Sequence, residues 1–375
     1  MNARLIGLGM IGAGWMGQAL LQKFLARADV RLVGLYTPDA GRGREALRVV
    51  GQSPDFWTGS LDQLLAKPHL DAVCIVSPNG FHGSQSLAAL CAGKHVFCEK
   101  PAATKYDEFR QQIEWERTHP HQITMVDYIL YFDSFEQRLR QMIADGLFGT
   151  VTQIQINYRH PVNITGRKVW KLKADQIGDA IGMAIIHALS VMVFAMQSQA
   201  KPCRVFATSQ SRSLRGFEVP PIWDIHVEFD NGATGTCLGN IDHGLGYDAY
   251  HHVHGTDGAL VFDSLADRPS KVRYWSAKQT GSRWVYPLDP NRCDAALLWP
   301  PDTSTPDSGD VIHHQTAAAV NHFLDCIQRG QQSPLSFANS ALIAEVGWAA
   351  LMSAMLRRPV DVPLNPAEAK SFFGG

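Results

Sequence analysis

The feature that most constrains the fold is a glycine-rich turn near the start of the chain. Residues 12–17 read Gly-Ala-Gly-Trp-Met-Gly, directly after the apolar run "RLIGLGMI" and before the helical pattern "GQALLQKFLAR". In such a strand–turn–helix unit the first glycine permits a sharp turn, the second lets the backbone approach a pyrophosphate, and the third lets the helix pack on the strand. The amino end of the helix then faces the phosphates. This turn predicts a dinucleotide site that includes Gly12, Gly14, Trp15, Met16 and Gly17.

The order of strands and helices predicts two domains. Up to residue 125, short apolar strands alternate with helical segments, which is typical of a parallel sheet with helices on both faces. Beyond it, strands follow one another, and the dipeptide Asn231-Gly232 joins two of them as a hairpin. We therefore expect an α/β chain, with a Rossmann domain over residues 1–125, an α+β domain with a large, mostly antiparallel open sheet over 126–375, and a loop over 290–311.

Composition excludes several classes of partner. The 34 lysines and arginines balance 35 acidic residues, so no basic surface for nucleic acid is expected. The chain has no run of 18 apolar residues and no charged-then-apolar leader, which predicts neither a membrane span nor a signal peptide. The seven cysteines are scattered and never spaced C-x-x-C, which favours reduced thiols in a cytoplasmic protein.

The end of the second strand bears on the choice of dinucleotide. NAD-binding turns of this kind carry an acid about 20 residues on, which holds the ribose 2′-hydroxyl. Here Tyr36-Thr37 occupies that place, and Arg42 and Arg44 follow. The pattern slightly favours NADP over NAD, with Asp39 as the residue that keeps NAD open.

A lysine follows the fourth predicted strand, "KHVFCEK", in Glu99-Lys100-Pro101. The carboxyl ends of parallel strands are the edge at which such sheets bind ligands. Desolvated there beside a nicotinamide, Lys100 would have a lowered pKa and serve as general base or acid. The alternative is a surface lysine at the start of a loop.

The stretch "GDAIGMAIIH" places Asp179 and His187 inside an apolar segment. In one straight helix they would lie about 12 Å apart along the axis, too far for a hydrogen bond. Asp179 is therefore predicted to cap the helix, with a catalytic role as the alternative. His187 either packs in the core or lines an active site.

The segments "IGAGWMG", "VSPNGFHGSQSLAALCAGKHVFCEKPAAT" and "IADGLFGTV" together resemble the Gfo/Idh/MocA oxidoreductases. The later segments "GTDGALVFD" and "FLDCIQRG" extend the resemblance over essentially the whole chain. It implies a homodimer or homotetramer formed through the second domain's sheet. It also implies hydride transfer between NAD(P) and a sugar, polyol or related carbohydrate.

The resemblance assigns roles to particular residues. Lys100 resembles the catalytic lysine, and His187 the histidine beside the transferred hydride. Met183 and Ile185 stand where relatives carry Asp and Gly, so the usual acid is missing. The cofactor would contact Thr37, Arg42, Ser77, Pro78, Asn79, His82, Glu99, Lys100 and Pro101.

Substrate contacts follow from the same resemblance and from a histidine-rich strand. Trp170-Lys171 resembles a Trp-Arg pair that precedes the active-site helix. Tyr131, where relatives often have arginine, and nearby Tyr128 either face substrate or pack. In "YDAYHHVHG", Tyr247, His251 and His252 are candidates for a sugar pocket. His252 and His254 would share a strand face, but no second cluster accompanies them, so no metal is predicted. His313-His314 are expected to begin a helix.

Two further functions remain open. A redox-neutral enzyme would hold its dinucleotide tightly and use transient oxidation to cleave a glycosidic bond or eliminate a group, which the missing acid at position 183 makes worth considering. A non-catalytic dinucleotide-binding regulator is disfavoured by the retained Glu99-Lys100-Pro101 and His187.

Overall fold

The computed structural model describes residues 5–244, 246–306 and 315–374. Its first layer is a six-stranded parallel sheet. The central strands are buried on both faces because helices cover both sides, as their continuous apolar runs predict. The strands, in the spatial order β3-β2-β1-β4-β5-β6, are β1 (Ile6–Ile11), β2 (Val30–Tyr36), β3 (Trp57–Thr58), β4 (Ala72–Ile75), β5 (His95–Glu99) and β6 (Thr124–Asp127).

Five helices cover this sheet: α1 (Trp15–Leu25), α2 (Ala40–Val49), α3 (Leu61–Leu65), α4 (His82–Cys91) and α5 (Tyr106–Thr118). The apolar face of α1 buries Leu20, Leu21 and Phe24, as its spacing predicts. Ser60 caps α3 by accepting a hydrogen bond from the Gln63 amide, also as predicted. The apolar pattern does not reveal α2, because only Gly43, Ala46 and Leu47 of its ten residues are buried.

The strand order reverses between β1 and β4, where the chain crosses from one half of the sheet to the other. Ligands of open α/β sheets bind outside the carboxyl ends of the strands at such a point. The glycine turn follows β1, and Lys100 follows β5 at the same edge. The fold therefore creates a crevice with the predicted dinucleotide and proton-transfer residues along one side.

The second sheet has eight strands, in the order β13-β12-β11-β7-β10-β9-β8-β14. Only β7 and β10 pair in parallel, so the predicted mostly antiparallel sheet is confirmed. The predicted hairpin joins β9 and β10, with Gly232 at φ 87°. The strands are β7 (Val151–Arg159), β8 (Pro202–Gln210), β9 (Ile222–Phe229), β10 (Thr234–Asn240), β11 (Asp248–Gly255), β12 (Gly258–Asp263), β13 (Val272–Ser276) and β14 (Val360–Asp361).

The later helices are α6 (Ser134–Ala144), α7 (Ala174–Ile177), α8 (Ile186–Met196), α9 (Thr316–Arg329), α10 (Ala341–Leu356) and α11 (Pro366–Phe373). Helix α8 is buried along almost its whole length, between the second sheet and helices α6 and α10. A helix enclosed on all sides needs no polar face, which accounts for its apolar sequence.

The division at residue 125 departs from the observed packing in two places. Residue 125 lies inside β6, so the first sheet extends to Asp127. Helix α9 returns to that sheet, where the Phe323 ring centroid lies 5.6 Å from that of Phe97 and 6.4 Å from that of Phe24. The end of the chain thus contributes to both layers.

Residues 290–306 form turns and irregular segments, as the predicted loop requires. Residues 307–311 of that loop, and His313-His314, lie outside the described residues. In the described ranges, no helix is both long enough and apolar enough to cross a bilayer.

Candidate active site

The glycine turn has the geometry that each glycine was predicted to provide. Gly12 adopts φ 110°, and a Cβ there would lie 2.7 Å from the Val76 carbonyl group. A Cβ on Gly17 would lie 2.9 Å from the Gly12 oxygen, so helix and strand depend on its absence. At Gly14 no protein atom lies within 4 Å of the Cβ position. The fold itself needs Gly12 and Gly17, whereas Gly14 leaves open space for a ligand.

The amino end of α1 has donors available for an anion. Gly14 provides no side-chain cap, and the first turn contains no acidic residue. The first amides of a helix lack internal partners and carry partial positive charge. Trp15 lies 51% exposed beside them, and Met16 packs partly into the core. These residues fit the pyrophosphate of a dinucleotide.

The edge after β2 combines arginines with one exposed carboxylate. Thr37 is buried, and its carbonyl accepts a hydrogen bond from the Trp57 indole at 3.0 Å. Asp39 caps α2 by accepting from the Arg42 amide, and its carboxylate lies 3.4 Å from the Arg42 guanidinium. These contacts lower the pKa of Asp39, the amide first, with a smaller effect from Arg167 of the second domain.

The side chain that supports the turn Ser77-Pro78-Asn79 is that of His82. Its ring nitrogens lie 2.8 Å from the Pro101 and Ser77 carbonyl oxygens, and the residue is 1% exposed. His82 therefore ties this turn to the segment after Lys100. Asn79 is also buried and donates to the Ile177 carbonyl of the second domain at 3.4 Å.

Lys100 reaches from the first domain to the second. Its ammonium donates to the Met183 carbonyl at 2.7 Å. Burial lowers the pKa of Lys100, while the negative charges of Glu99 and Asp127 act in the opposite direction. The reading of a surface lysine at a loop start does not hold.

Asp127 is a site residue that the sequence analysis missed. It lies beside Glu99 in the parallel register of β5 and β6, and it is 1% exposed. Burial, together with the neighbouring Glu99, raises the pKa of Asp127 well above its ordinary value. Each of the two carboxyl groups therefore disfavours the ionisation of the other. An acidic residue at the end of an adjacent parallel strand was the available signal.

The stretch that contains Asp179 and His187 is not one straight helix. Gly178 breaks the chain at φ 76°, a π-helical turn spans Ile181–Ile185, and α8 begins at Ile186. Asp179 accepts a hydrogen bond from the Gly182 amide at 2.7 Å, which is the geometry of a cap. Burial raises the pKa of Asp179 to about 6.

The second domain lines the crevice with a cluster of rings, which we call the aromatic wall: Tyr158, His160, His187 and Tyr247. The Tyr158 ring centroid lies 5.7 Å from those of His160 and His187, and the Tyr247 centroid lies 5.0 Å from that of His160. Burial lowers the pKa of His160 to about 4, and the nearby charges of Lys171 and Lys100 add to the effect. The sequence analysis missed Tyr158 and His160, whose signal was their position where β7 ends.

A short 3-10 segment, Gly166–Leu172, crosses from the second domain towards the glycine turn. The Lys168 ammonium lies 5.2 Å above the Trp15 ring. Trp170 packs partly into the core, and Lys171 follows it. Burial, with help from Lys100 and Lys168, lowers the pKa of Lys171 to about 8.

Three predicted substrate residues lie elsewhere. Tyr128 is 1% exposed and packs against Phe194, so it belongs to the core. Tyr131 packs under the Arg140 guanidinium, 3.9 Å from its ring centroid, in a groove at the far end of α8. Apolar packing decided both positions.

His251 also lies in the interior of the protein. It is 2% exposed, and its Nε2 lies 2.7 Å from the Glu136 carboxylate, which joins β11 to α6. On the opposite face of that strand, the His252 and His254 rings lie 6.2 Å apart. Across the described ranges, no three His, Cys, Asp or Glu side chains are grouped to hold a metal ion.

Comparison with known proteins gives the family. The sequence profile described as "Oxidoreductase family, NAD-binding Rossmann fold" matches residues 6–128, and the GFO/IDH/MocA C-terminal domain matches residues 137–261. Together the two profiles cover the glycine turn, the Lys100 strand end, the π-helical turn and the aromatic wall.

Individual relatives are distant but extensive. An inositol 2-dehydrogenase/D-chiro-inositol 3-dehydrogenase of Shouchella clausii is 24% identical over 74% of this chain and 76% of its own. A 2,7-anhydro-N-acetylneuraminate hydratase of Escherichia coli is 23% identical over 69% of this chain and 68% of its own. The solved structure of a levoglucosan dehydrogenase in complex with NADH has the same fold, with a TM-score of 0.78, 23% identity, and coverage of 96% of this chain and 100% of that one. The chain belongs to the Gfo/Idh/MocA family of NAD(P)-dependent oxidoreductases.

Proposed function

We propose that the protein transfers a hydride between NAD(P) and a hydroxyl-bearing carbon of a sugar, polyol or related carbohydrate, with Lys100 as general acid and base. The observation that carries the proposal is the Lys100 amine. It lies at the carboxyl end of β5, its pKa is lowered by burial, and the Met183 carbonyl holds it at 2.7 Å. An amine whose pKa is lowered and which is fixed beside the dinucleotide crevice suits proton transfer.

The chain's own groups divide the work as follows. In its neutral form Lys100 donates one N–H to the Met183 carbonyl, which leaves its lone pair to accept the proton of the substrate hydroxyl. The nicotinamide, when bound, supplies the hydride acceptor or donor. Glu99, whose carboxylate also accepts from the Lys100 amide at 3.1 Å, stabilises the resulting ammonium. His187 lies one turn beyond Met183 and orients the substrate.

A carbohydrate substrate is supported from two directions. The aromatic wall offers ring faces, hydroxyl groups and imidazoles around the crevice, and such groups suit a polyhydroxy ligand. The relatives named above act, by their names, on inositol, levoglucosan and a neuraminate.

NADP is the dinucleotide that the adenosine end favours. Arg42 and Arg44 belong to α2, Arg167 comes from the second domain, and the carboxylate of Asp39 already pairs with Arg42. Arginines recognise phosphate through paired hydrogen bonds, so an adenosine 2′-phosphate has suitable partners here.

A redox-neutral activity is the second candidate. Methionine occupies position 183, so no carboxylate assists Lys100 from that turn. One relative is named a hydratase rather than a dehydrogenase. Such an enzyme would oxidise its substrate transiently and show turnover without net change in nicotinamide absorbance.

The test replaces Lys100. Lys100→Met keeps the length and apolar volume of the side chain but removes the amine, so we expect kcat to fall by roughly 10² to 10⁴, the range of general acid–base catalysis. The assay follows nicotinamide absorbance and product formation with a panel of sugars and polyols.

The control for this test is dinucleotide affinity, measured by equilibrium binding, which should change less than about threefold because Lys100 lies beyond the pyrophosphate turn. Full activity in Lys100→Met would overturn the proton-transfer role. Product without absorbance change would favour the redox-neutral enzyme, and dinucleotide binding without any product would favour a regulator.

We further propose a cytoplasmic homodimer or homotetramer. On β8 of the second sheet, Phe206 is exposed on the same strand face as Arg204 and Thr208. Homo-oligomers commonly join such faces symmetrically. The cytoplasmic proposal rests on the cysteine pattern of the sequence.

A further inference from the structure

Lys171 is a partly buried cation that forms no ion pair within the part of the chain that the structure describes. Its side chain lies at the end of the 3-10 segment Gly166–Leu172, next to Trp170. Among the residues that the structure describes, no carboxylate lies within ion-pair distance of its ammonium. Lys173, two residues on, shows the usual arrangement: it is exposed and pairs with Glu218 at 2.6 Å.

The charges around Lys171 increase its cost. Lys100 and Lys168 are both close enough to lower its pKa, and Glu99 alone opposes them. Glu99 also interacts with the charge of Lys100, and burial raises the pKa of Glu99, which disfavours its charged form. A buried cation among other cations is destabilising unless an anion joins it. Negative charge from a bound ligand would therefore stabilise the Lys171 ammonium beyond what Glu99 provides.

The position of Lys171 favours the substrate over the dinucleotide as the source of that negative charge. Lys168 lies over Trp15 of the glycine turn, on the pyrophosphate side. Lys171 acts electrostatically on His160 of the aromatic wall, and both Lys100 and Lys168 act on Lys171. The Nδ1 atom of His160 is buried and has no hydrogen-bond partner within the described chain. Lys171 and His160 thus lie close to each other and to Lys100, the proposed acceptor of the substrate hydroxyl proton.

We propose that the natural substrate is a sugar acid and that Lys171 binds its carboxylate. This inference rests on the proposed oxidoreductase function. One ammonium beside a neutral histidine and two tyrosines matches a monoanion, whereas a phosphate would call for more charge. During oxidation the carbinol C–H leaves as hydride to the nicotinamide, its O–H proton passes to Lys100, and the carboxylate is unchanged.

The experiment compares acidic and neutral members of matched pairs, glucuronate with glucose and galacturonate with galactose, and adds glucose 6-phosphate as a phosphate probe. A charge-assisted contact corresponds to about ten- to a hundredfold in KM. We expect kcat/KM of the wild type to favour the acid by that factor. In Lys171→Met this preference should disappear through KM, and Lys171→Arg should restore much of it. Lys173→Met, which removes an exposed lysine outside the crevice, should retain the wild-type preference.

The pH dependence gives a second readout. Because the pKa of Lys171 is about 8 in the free protein, the cation is lost above that pH, and KM for the acid should rise there. The charged groups that face it are Lys100, Lys168, Glu99 and His160. The rise should be absent from the KM of the neutral sugar and from Lys171→Arg.

Equal kcat/KM of the wild type for acidic and neutral sugars would overturn the inference. So would an equal loss of kcat/KM for both kinds of substrate in Lys171→Met, or weaker dinucleotide binding in that variant. A preference for the phosphate probe would also do so. If no substrate changes nicotinamide absorbance, the proposed function fails separately. Thermal shift of the dinucleotide-loaded protein by glucuronate, lost in Lys171→Met, then still decides whether the pocket binds a carboxylate.

Discussion

At the scale of single residues, the same chemical group serves different purposes according to its donors. The carboxylate of Asp179 is occupied by the Gly182 amide, and Lys100 is influenced by Glu99 and Asp127 rather than by Asp179. We therefore assign Asp179 to holding the π-helical turn in place. A cap requires only an oxygen that accepts a hydrogen bond, whereas a catalytic acid must also exchange a proton with the substrate.

Substitution of Asp179 separates the two roles. Asp179→Asn retains an acceptor for the Gly182 amide, so we expect activity within about threefold of the wild type. Asp179→Ala loses the cap and should lower the free energy of unfolding by about 1 kcal/mol, measured by urea denaturation. A folded Asp179→Asn protein with a hundredfold lower kcat would return Asp179 to catalysis.

The same variant carries a pH signature. Burial raises the pKa of Asp179 from 3.8 to about 6 in the folded chain, so the folded state binds the proton more tightly. The associated stability is present below pH 3.8 and is lost as the pH rises through about 6. Unfolding curves of Asp179→Asn should lack this component.

At the scale of elements, the π-helical turn connects the second domain to the proposed catalytic lysine of the first domain. Its residue Met183 presents a carbonyl to Lys100, and Gly182 packs so closely that a Cβ would lie 3.1 Å from Pro101. π-Helical turns occur mostly at functional sites because they displace backbone groups from the regular helical ladder. In this chain the backbone carbonyl of Met183 accepts a hydrogen bond from Lys100. The family that the sequence resembles often carries an aspartate at position 183.

Met183→Asp tests this arrangement. A carboxylate beside Lys100 favours the ammonium, so the pKa of Lys100 should rise by about 1 to 3 units. The ascending limb of kcat/KM against pH for substrate oxidation should move to higher pH by the same amount. Met183→Asn, similar in size but uncharged, is the control and should leave the limb near its wild-type position. An unmoved limb in Met183→Asp would mean that Lys100 is not the titrating group.

At the scale of the whole molecule, the crevice has walls from both domains. The first contributes the glycine turn and Arg42, and the second contributes the segment Gly166–Leu172, with Arg167 near Asp39 and Lys168 over Trp15. We therefore expect dinucleotide binding to depend on the contacts between the two domains.

Dinucleotide choice is the prediction at this scale. We expect NADP to raise the melting temperature more than NAD at equal concentration. Arg42→Ala and Arg167→Ala should each weaken NADP binding about tenfold, the value of a charge-assisted contact, with a smaller effect on NAD. Tryptophan fluorescence titration measures both constants. Tighter binding of NAD by the wild type, or equal losses for both dinucleotides, would contradict the preference.

Much of the architecture follows from local patterns in the chain. The glycine spacing, the strand–helix alternation and the Asn231-Gly232 turn depend on nearest neighbours, and all three recur in the structure. Lys100 was identifiable because the end of a parallel strand is a position in sequence as well as in space. Helix α2 was not identifiable, since few of its side chains are buried.

The sequence alone determined the two kinds of sheet, the dinucleotide turn and the lysine at the strand end, because each depends on backbone conformation or on periodicity within a few residues. Only the tertiary structure decided which polar and aromatic side chains face the crevice. His251 and Tyr128 lie in the core, whereas Asp127, Tyr158 and His160 lie at the candidate active site. The physical reason is that burial and charge at a position are set by groups distant in the chain, which a local pattern does not record.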